Sequence, residues 1–99
     1  MWRWRRGIGV PTPLHLAAER DHLPVAQYLC EQGAGKETRN GNDGTPLYEA
    51  AYEGHLDVVQ YLCEQGADKE ARAEDGQTPL HQAARCGRLP IVQYFKGLK

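Results

Sequence analysis

The residues best suited to chemistry in this chain are four histidines and three cysteines. His15 and His81 each follow a Thr-Pro-Leu triplet, whereas His22 and His55 each precede a leucine. A structural zinc site or a metalloprotease centre uses Cys-x-x-Cys pairs or two histidines four residues apart on a helix. The sequence contains neither arrangement, and we therefore expect no metal site.

A catalytic thiol is the second chemistry to consider. No histidine stands at a spacing that would make it the base of a Cys–His pair. Cys86 follows Arg85 and is expected to be the only partly exposed thiol in a positively charged setting, which favours the reactive thiolate; a plain surface cysteine is the alternative. Gly7-Ile8-Gly9 is too short for a phosphate loop. The sequence predicts no enzyme, no cofactor and no small-molecule substrate.

The chain is instead organised by a repeat. Thr12, Thr45 and Thr78 each open a Thr-Pro-Leu triplet, and successive triplets are 33 residues apart. Aligning residues 12–39 with residues 45–72 gives 19 identities in 28 pairs, which indicates a stack of repeated units.

Each unit carries the signals of two helices. Threonine caps free backbone N–H groups, and proline fits the first helical position. Gly54 and Gly87 can adopt the left-handed conformation that ends a helix, and Asp21 takes this place in the first unit. A second helix follows with an apolar stripe in every unit: Leu23, Val25, Ala26 and Leu29, then Leu56, Val58, Val59 and Leu62, then Leu89, Ile91, Val92 and Phe95. Asp75-Gly76 predicts a tight turn between units, and Asp43 must adopt the conformation of that glycine in the preceding copy.

The unit resembles the ankyrin repeat. Asp75 to Val92 follow the family pattern Asp-Gly-x-Thr-Pro-Leu-His-x-Ala-Ala-x-x-Gly-His-x-x-Val-Val almost completely, and Gly66-Ala67-Asp68 matches its Gly-Ala-Asp segment. Tyr48 departs from the histidine of the motif. The resemblance implies an all-α solenoid of stacked helix-turn-helix units with protruding β-hairpin-like loops. We expect an irregular leader at residues 1–11 and a repeat domain at residues 12–99, with repeats at about 12–39, 40–72 and 73–99.

The resemblance also assigns structural roles to the chemistry-bearing residues. It implies that His15 and His81 bind threonine and backbone groups and so join one repeat to the next, and we expect His22 and His55 to be structural as well. Cys30 and Cys63 occupy equivalent places in repeats that stack about 10 Å apart. A disulfide needs Cα atoms within about 7 Å, so both should be free thiols.

The positions that differ between repeats are the candidate binding residues. In ankyrin stacks the loop tips and first helices line a concave face, and the resemblance places partner contacts there. Tyr52 is the first choice as an anchor, because exposed tyrosines beside charges are typical of interfaces; drift at unconstrained surface positions is the alternative. The full set comprises Asn42, Gly44, Glu49, Tyr52, Glu53, Glu74, Gln77, Gln82, Arg85 and Cys86.

Charge separates the leader from the rest of the chain. Arg3, Arg5 and Arg6 give the first nine residues a charge of +3, and since the whole chain carries −1, the remainder carries −4. An acidic body does not favour nucleic acid, and no apolar run is long enough to cross a membrane. The leader, with Trp2 and Trp4, is open to interpretation as a frayed end, a short strand, or an arm for an anionic surface or nucleic acid.

We expect a non-catalytic module that presents a rigid, mixed-charge concave surface to a protein partner. Spacer repeats within a longer array and contact through the Trp/Arg leader are the alternatives. Without an export signal, the expected compartment is the cytoplasm or nucleus. The last repeat is as apolar as the interior, which indicates a fragment of a longer array or marginal stability. A monomer is expected, with exposed repeat ends that could self-associate.

Overall fold

A computed structural model describes residues 11–41 and 43–97 of the chain. The leader residues Trp2, Arg3, Trp4, Arg5 and Arg6, together with Asn42, lie outside the described residues. The described part contains six helices and no strand: α1 Pro13–Glu19, α2 Leu23–Glu31, α3 Pro46–Glu53, α4 Leu56–Glu64, α5 Pro79–Arg85 and α6 Leu89–Gly97. The helices form three successive pairs, and the predicted all-α helix-turn-helix stack is confirmed.

The three first helices begin in the same way. The hydroxyl oxygens of Thr12, Thr45 and Thr78 each accept a hydrogen bond from the backbone N–H three residues later, and proline follows directly in all three helices. These contacts satisfy donors that the helix itself leaves free. The repeated Thr-Pro sequence therefore sets the start of every repeat.

The helices form two layers. The first helices α1, α3 and α5 pack side by side in chain order, and the second helices α2, α4 and α6 follow the same order behind them. The principal core joins both layers and all three repeats, and its central members are fully buried: Ala18, Leu47, Ala50, Ala51, Val58, Val59, Leu62 and Ala83. Leu14, Ala17 and Ala26 form a smaller cluster in the first repeat.

The apolar stripe of the second helices is buried only where a neighbouring repeat covers it. Val58 and Ile91 are buried, but Val25, which holds the same place in α2, is 48% exposed. Leu89 is 60% exposed, whereas its counterparts Leu23 and Leu56 pack against the core. Val25 and Leu89 are exposed because no described repeat packs against these two ends of the stack.

Two arms connect the pairs of helices. We call residues 34–45 the first arm and residues 67–78 the second arm. In the second arm, Gly76 donates its N–H to the carbonyl of Ala73 (2.9 Å), and Ala73 donates to that of Gln77 (2.9 Å). Asp43 and Asn40 close the first arm by a similar bond of 2.9 Å. The predicted hairpin-like turns are confirmed as tight turns without a strand ladder in the described residues.

Aspartate adopts a glycine-like conformation at two turns. Asp21 and Asp43 both have φ 62°, beside Gly54 at φ 86° and Gly76 at φ 80° in the equivalent places of other repeats. The expectation that Asp43 takes the turn glycine's conformation is confirmed. A side chain in this region costs about 1 kcal/mol, although aspartate tolerates it better than most residues.

The neutral histidine at position 15 joins the first two repeats. Its Nδ1 atom accepts a hydrogen bond from the Thr12 N–H (3.2 Å), and its Nε2–H donates to the Gly44 carbonyl (2.8 Å). These partners fix the tautomer, because a backbone N–H only donates and a carbonyl only accepts. Burial lowers the pKa of His15 and so keeps the ring neutral at pH 7.

The other three histidines differ in whether they contact a neighbouring repeat. His55 also joins two repeats, through a 2.9 Å contact between Nε2 and the Glu19 carbonyl. His81 bonds to Thr78 of its own repeat, whereas His22 is exposed and makes no cap hydrogen bond. The expected structural role is therefore confirmed for His15 and His55. His81 makes the expected contacts with the threonine side chain and backbone but none with another repeat in the described residues, and His22 departs from the expected role.

Replacing Asp21 with glycine is expected to raise the free energy of unfolding by about 1 kcal/mol, because glycine has no Cβ to strain at positive φ. Urea denaturation followed by circular dichroism measures this change. Asp57→Gly is the matched control and should destabilise, since Asp57 lies in the first turn of α4. A loss of stability in Asp21→Gly would show that the 3.9 Å contact between Asp21 and His55 outweighs the backbone strain.

Replacing His15 with alanine is expected to cost about 2–3 kcal/mol, because the change leaves a cavity and removes a buried hydrogen bond between repeats. His81→Ala removes the same side chain from the same motif. It should cost about 1 kcal/mol, since His81 is exposed and bonds only to Thr78. Urea midpoints of the two variants test the difference, and equal losses would contradict a special role for the contact from His15 to Gly44.

Candidate functional site

A groove opens between the first helices and the second arm. It has a volume of about 320 Å³, and we call it the arm–helix groove. Its lining combines three residues of α3, three of the second arm and one of α5: Tyr48, Glu49, Tyr52, Ala73, Glu74, Asp75 and Gln82. The tight turn of the second arm therefore brings two acids opposite the exposed side of α3.

A hydrogen-bonded pair from two repeats forms the buried part of this lining. The Tyr48 hydroxyl donates to Oε1 of Gln82 across 3.2 Å, and both side chains are buried. The Nε2 atom of Gln82 in turn lies 3.7 Å from Sγ of Cys86. Tyr48 occupies the position at which the other repeats have histidine. Its hydroxyl bonds to the next repeat, as the ring nitrogen of His15 does in the first repeat. It thus joins the second and third repeats while presenting part of its ring to the groove.

Glu49 is the most enclosed acid of the groove. Its Oε2 accepts a 2.8 Å hydrogen bond from Nδ2 of Asn40. Burial raises the pKa of Glu49, and the negative charges of Glu19 and Glu53 raise it further, although the bond from Asn40 acts in the opposite direction. The carboxylate therefore carries its charge in a partly desolvated setting with further negative charge nearby.

The carboxylates of the groove also affect the pKa of Tyr48. Burial raises the pKa of the Tyr48 phenol, and Asp75 and Glu49 add to the effect, whereas Arg85 lowers the pKa. Glu74 is exposed on the second arm, and Asp75 Oδ1 accepts the Gln77 N–H at 3.0 Å. The lining contains no basic side chain, although Arg85 is close enough to lower the pKa of Tyr48; the expected mixed charge of the whole concave face stays a prediction.

The structure brings together four of the ten predicted binding residues in this lining: Glu49, Tyr52, Glu74 and Gln82. Tyr52 is 43% exposed and so is available for contact, whereas Gln82 is 7% exposed and mainly holds Tyr48. Three other predicted residues do not line the groove but act on residues that do. Glu53 raises the pKa of Glu49, Arg85 lowers the pKa of Tyr48, and the Sγ atom of Cys86 lies 3.7 Å from Gln82. Gln77 is half-buried behind the turn.

The expected exposure of Gly44 at a loop tip is wrong. Gly44 is buried, its carbonyl accepts from His15, and its N–H donates to Oδ1 of Asn40 at 2.9 Å. The backbone of Gly44 is therefore used to join the repeats. Asn42, the neighbouring predicted tip residue, lies outside the described residues.

Three lining residues, Tyr48, Ala73 and Asp75, are not among the binding residues predicted from the sequence. The sequence identifies Tyr48 only as a departure from the motif histidine, and Asp75 only as a turn residue. The departure of Tyr48 from histidine was a usable signal, since a change at a repeated position marks a local difference. No comparable signal distinguishes Asp75, because aspartate also suits the turn.

None of the three cysteines lines the groove, although Cys86 lies 3.7 Å from the lining residue Gln82. Cys30 and Cys63 are free and half-buried; burial raises the pKa of both thiols, whereas the tyrosine of the following repeat, Tyr61 and Tyr94 respectively, acts in the opposite direction. Burial raises the pKa of the Cys63 thiol to about 11, which disfavours the reactive thiolate. Partial exposure does not distinguish Cys86 from the other two thiols, because all three are half-buried; the expected positively charged setting beside Arg85 stays a prediction.

Within residues 11–41 and 43–97, no three His, Cys, Asp or Glu residues are grouped so that they could hold a metal ion. No helix in this part of the chain is long and apolar enough to cross a membrane.

The paired helices, the capped starts and the projecting arms define a helical repeat protein. The family model described as ankyrin repeats (3 copies) matches residues 7–73 and residues 40–97. The chain therefore belongs to the ankyrin repeat family, whose members are generally protein-interaction modules and typically non-catalytic. No curated protein matches the chain.

Replacing Glu49 with glutamine is expected to raise the free energy of unfolding at pH 7. The folded-state pKa of Glu49 lies above its ordinary value of 4.5, so folding disfavours the charged form. This penalty is present in full above the folded pKa and disappears as pH falls through that pKa toward 4.5. The advantage of Glu49→Gln over the natural chain should therefore narrow as pH falls to about 4.

Urea denaturation at pH 7 and at pH 4 measures this pH dependence. Glu64→Gln, at an exposed position of α4, is the matched control and should leave stability nearly unchanged at both pH values. An advantage of Glu49→Gln that is the same at both pH values would contradict the raised pKa as its cause.

Proposed function

We propose that this chain is a non-catalytic protein–protein interaction module that binds a protein partner through the arm–helix groove and the adjoining arm tips. The observation that carries the proposal is a separation of roles within each first helix. Threonine and alanine positions repeat and build the stack, while the positions of Glu49 and Tyr52 hold different residues in every repeat. The groove gathers these differing positions on one surface.

The scaffold supports binding because the groove is formed before any partner arrives. Tyr48 is held by Gln82, and Glu49 by Asn40, so neither side chain needs to be ordered on binding. Side chains that are already fixed lose less conformational entropy on association. Tyr52 supplies exposed aromatic surface beside them, which is typical of residues that anchor interfaces.

Site-specific photo-crosslinking tests this proposal. A photoreactive phenylalanine analogue replaces Tyr52 in one protein and Gln65 in another, since Gln65 is exposed at the end of α4 in the other helical layer. We expect distinct protein adducts from cell lysate with the probe at Tyr52 and few or none at Gln65. Combining the Tyr52 probe with Glu74→Gln should reduce the adduct yield.

Equal adducts from both positions, or none at Tyr52, would contradict binding at the groove. The second result would favour repeats that act only as a spacer. A substrate turned over by the purified chain would contradict the non-catalytic part of the proposal.

A further inference from the structure

The arm–helix groove has the chemistry to recognise a positively charged, planar side chain. We propose that it binds an arginine presented by a basic segment of the partner protein, with the guanidinium between the acids and the tyrosine rings. The inference rests on the proposed function, because it names the chemistry of the partner that the same groove would take.

Charge complementarity is the first argument. The lining has three carboxylates, Glu49, Glu74 and Asp75, and no basic residue. None of these carboxylates forms an ion pair with a basic side chain in the described part of the chain. Three arginines near the groove do not line it: Arg72 donates from Nη1 to the Gly76 carbonyl at 2.8 Å, Arg88 donates from Nε to the Tyr52 carbonyl at 3.2 Å, and Arg85 lowers the pKa of Tyr48. A cation from outside would therefore meet uncompensated negative charge.

The enclosed position of Glu49 strengthens this argument. Its carboxylate loses part of its hydration and also faces the charges of Glu19 and Glu53. An incoming cation relieves the repulsion and replaces the lost hydration, so a charge-assisted hydrogen bond here is worth more than one on an open surface. Because Asn40 already donates to Oε2, Oε1 is the oxygen through which Glu49 would accept a hydrogen bond from a ligand.

The aromatic rings favour arginine over lysine. Tyr52 is 43% exposed, and Tyr48 contributes to the same lining. A guanidinium group stacks on aromatic faces and can also donate two parallel hydrogen bonds to a carboxylate, whereas an ammonium group is a strongly hydrated point charge. At about 320 Å³ the groove has room for one guanidinium group with several water molecules. The same acids repel phosphate groups, which disfavours a nucleic acid as the occupant.

Fluorescence anisotropy with defined peptides tests the inference on the full chain. The probe is a fluorescein-labelled peptide with three arginines separated by Gly-Ser pairs. Two comparison peptides carry citrulline, which keeps the shape of arginine but is neutral, or lysine. We expect saturable binding of the arginine peptide, at least about tenfold weaker binding of the citrulline peptide, and binding a few-fold weaker with lysine.

Single substitutions in the protein test which residues bind the arginine peptide. Glu49→Gln, Glu74→Gln and Tyr52→Ala should each weaken the arginine peptide about three- to tenfold. Glu64→Gln is the matched control, because it removes the same charge from an exposed position on α4 and should change the affinity less than twofold. Denaturation curves confirm that each variant is folded, and Glu49→Gln is especially informative because it is expected to bind more weakly without losing stability.

Four results would overturn the inference. Equal binding of the arginine and citrulline peptides would show that charge is not recognised, and an equal effect of Glu64→Gln and Glu74→Gln would show only diffuse attraction. Displacement of the peptide by a single-stranded oligonucleotide that itself binds the groove would identify a different occupant. If crosslinking at Tyr52 captures a protein but no arginine peptide binds, the proposed function stands and the inferred partner chemistry fails.

Discussion

The structure depends on close contact between the first helices, and alanine makes that contact possible. Ala18, Ala50, Ala51 and Ala83 are completely buried where α1, α3 and α5 pack side by side. A larger side chain at these places would force the helices apart, because protein interiors have few voids to absorb added volume. The short separation in turn allows hydrogen bonds from one repeat to reach the backbone or side chains of the next.

The helix spacing explains why one motif position can hold either histidine or tyrosine. His15 reaches the Gly44 carbonyl at 2.8 Å, and Tyr48 reaches Oε1 of Gln82 at 3.2 Å. Both residues carry a hydrogen-bonding group at the far side of a flat ring, so both can bridge the same gap between repeats. The tyrosine, however, bonds to a side-chain acceptor, Gln82, at the position where the second repeat has Glu49. The exchange at Tyr48 and the presence of Gln82 are thus linked through one hydrogen bond.

The fold could be predicted from the sequence because every signal recurred with the same period. Caps, left-handed glycines and apolar stripes agreed across the units, and the structure follows them in all six helices. Burial at the ends could not be read in the same way, since Val25 and Leu89 look like interior residues by type. Their exposure depends on which repeat packs beside them, and a periodic pattern carries no information about where stacking stops.

The site could be predicted only in part, for a physical reason that concerns the arms. Differences between repeats identified Glu49 and Tyr52, which lie on a regular helix whose outward positions follow from the period. The placement of Glu74 and Asp75 opposite that helix depends on the closed turn of the second arm, in which Arg72 also donates to the Gly76 carbonyl at 2.8 Å. For Gly44 the sequence predicted a partner contact that the structure does not favour. This loop glycine is buried, and its carbonyl and N–H form hydrogen bonds to His15 and Asn40. The charged residues of an arm can therefore be assigned to a site only when the turn shows which helix they face. In this chain the second arm faces α3, which already carries the negative charge of Glu49.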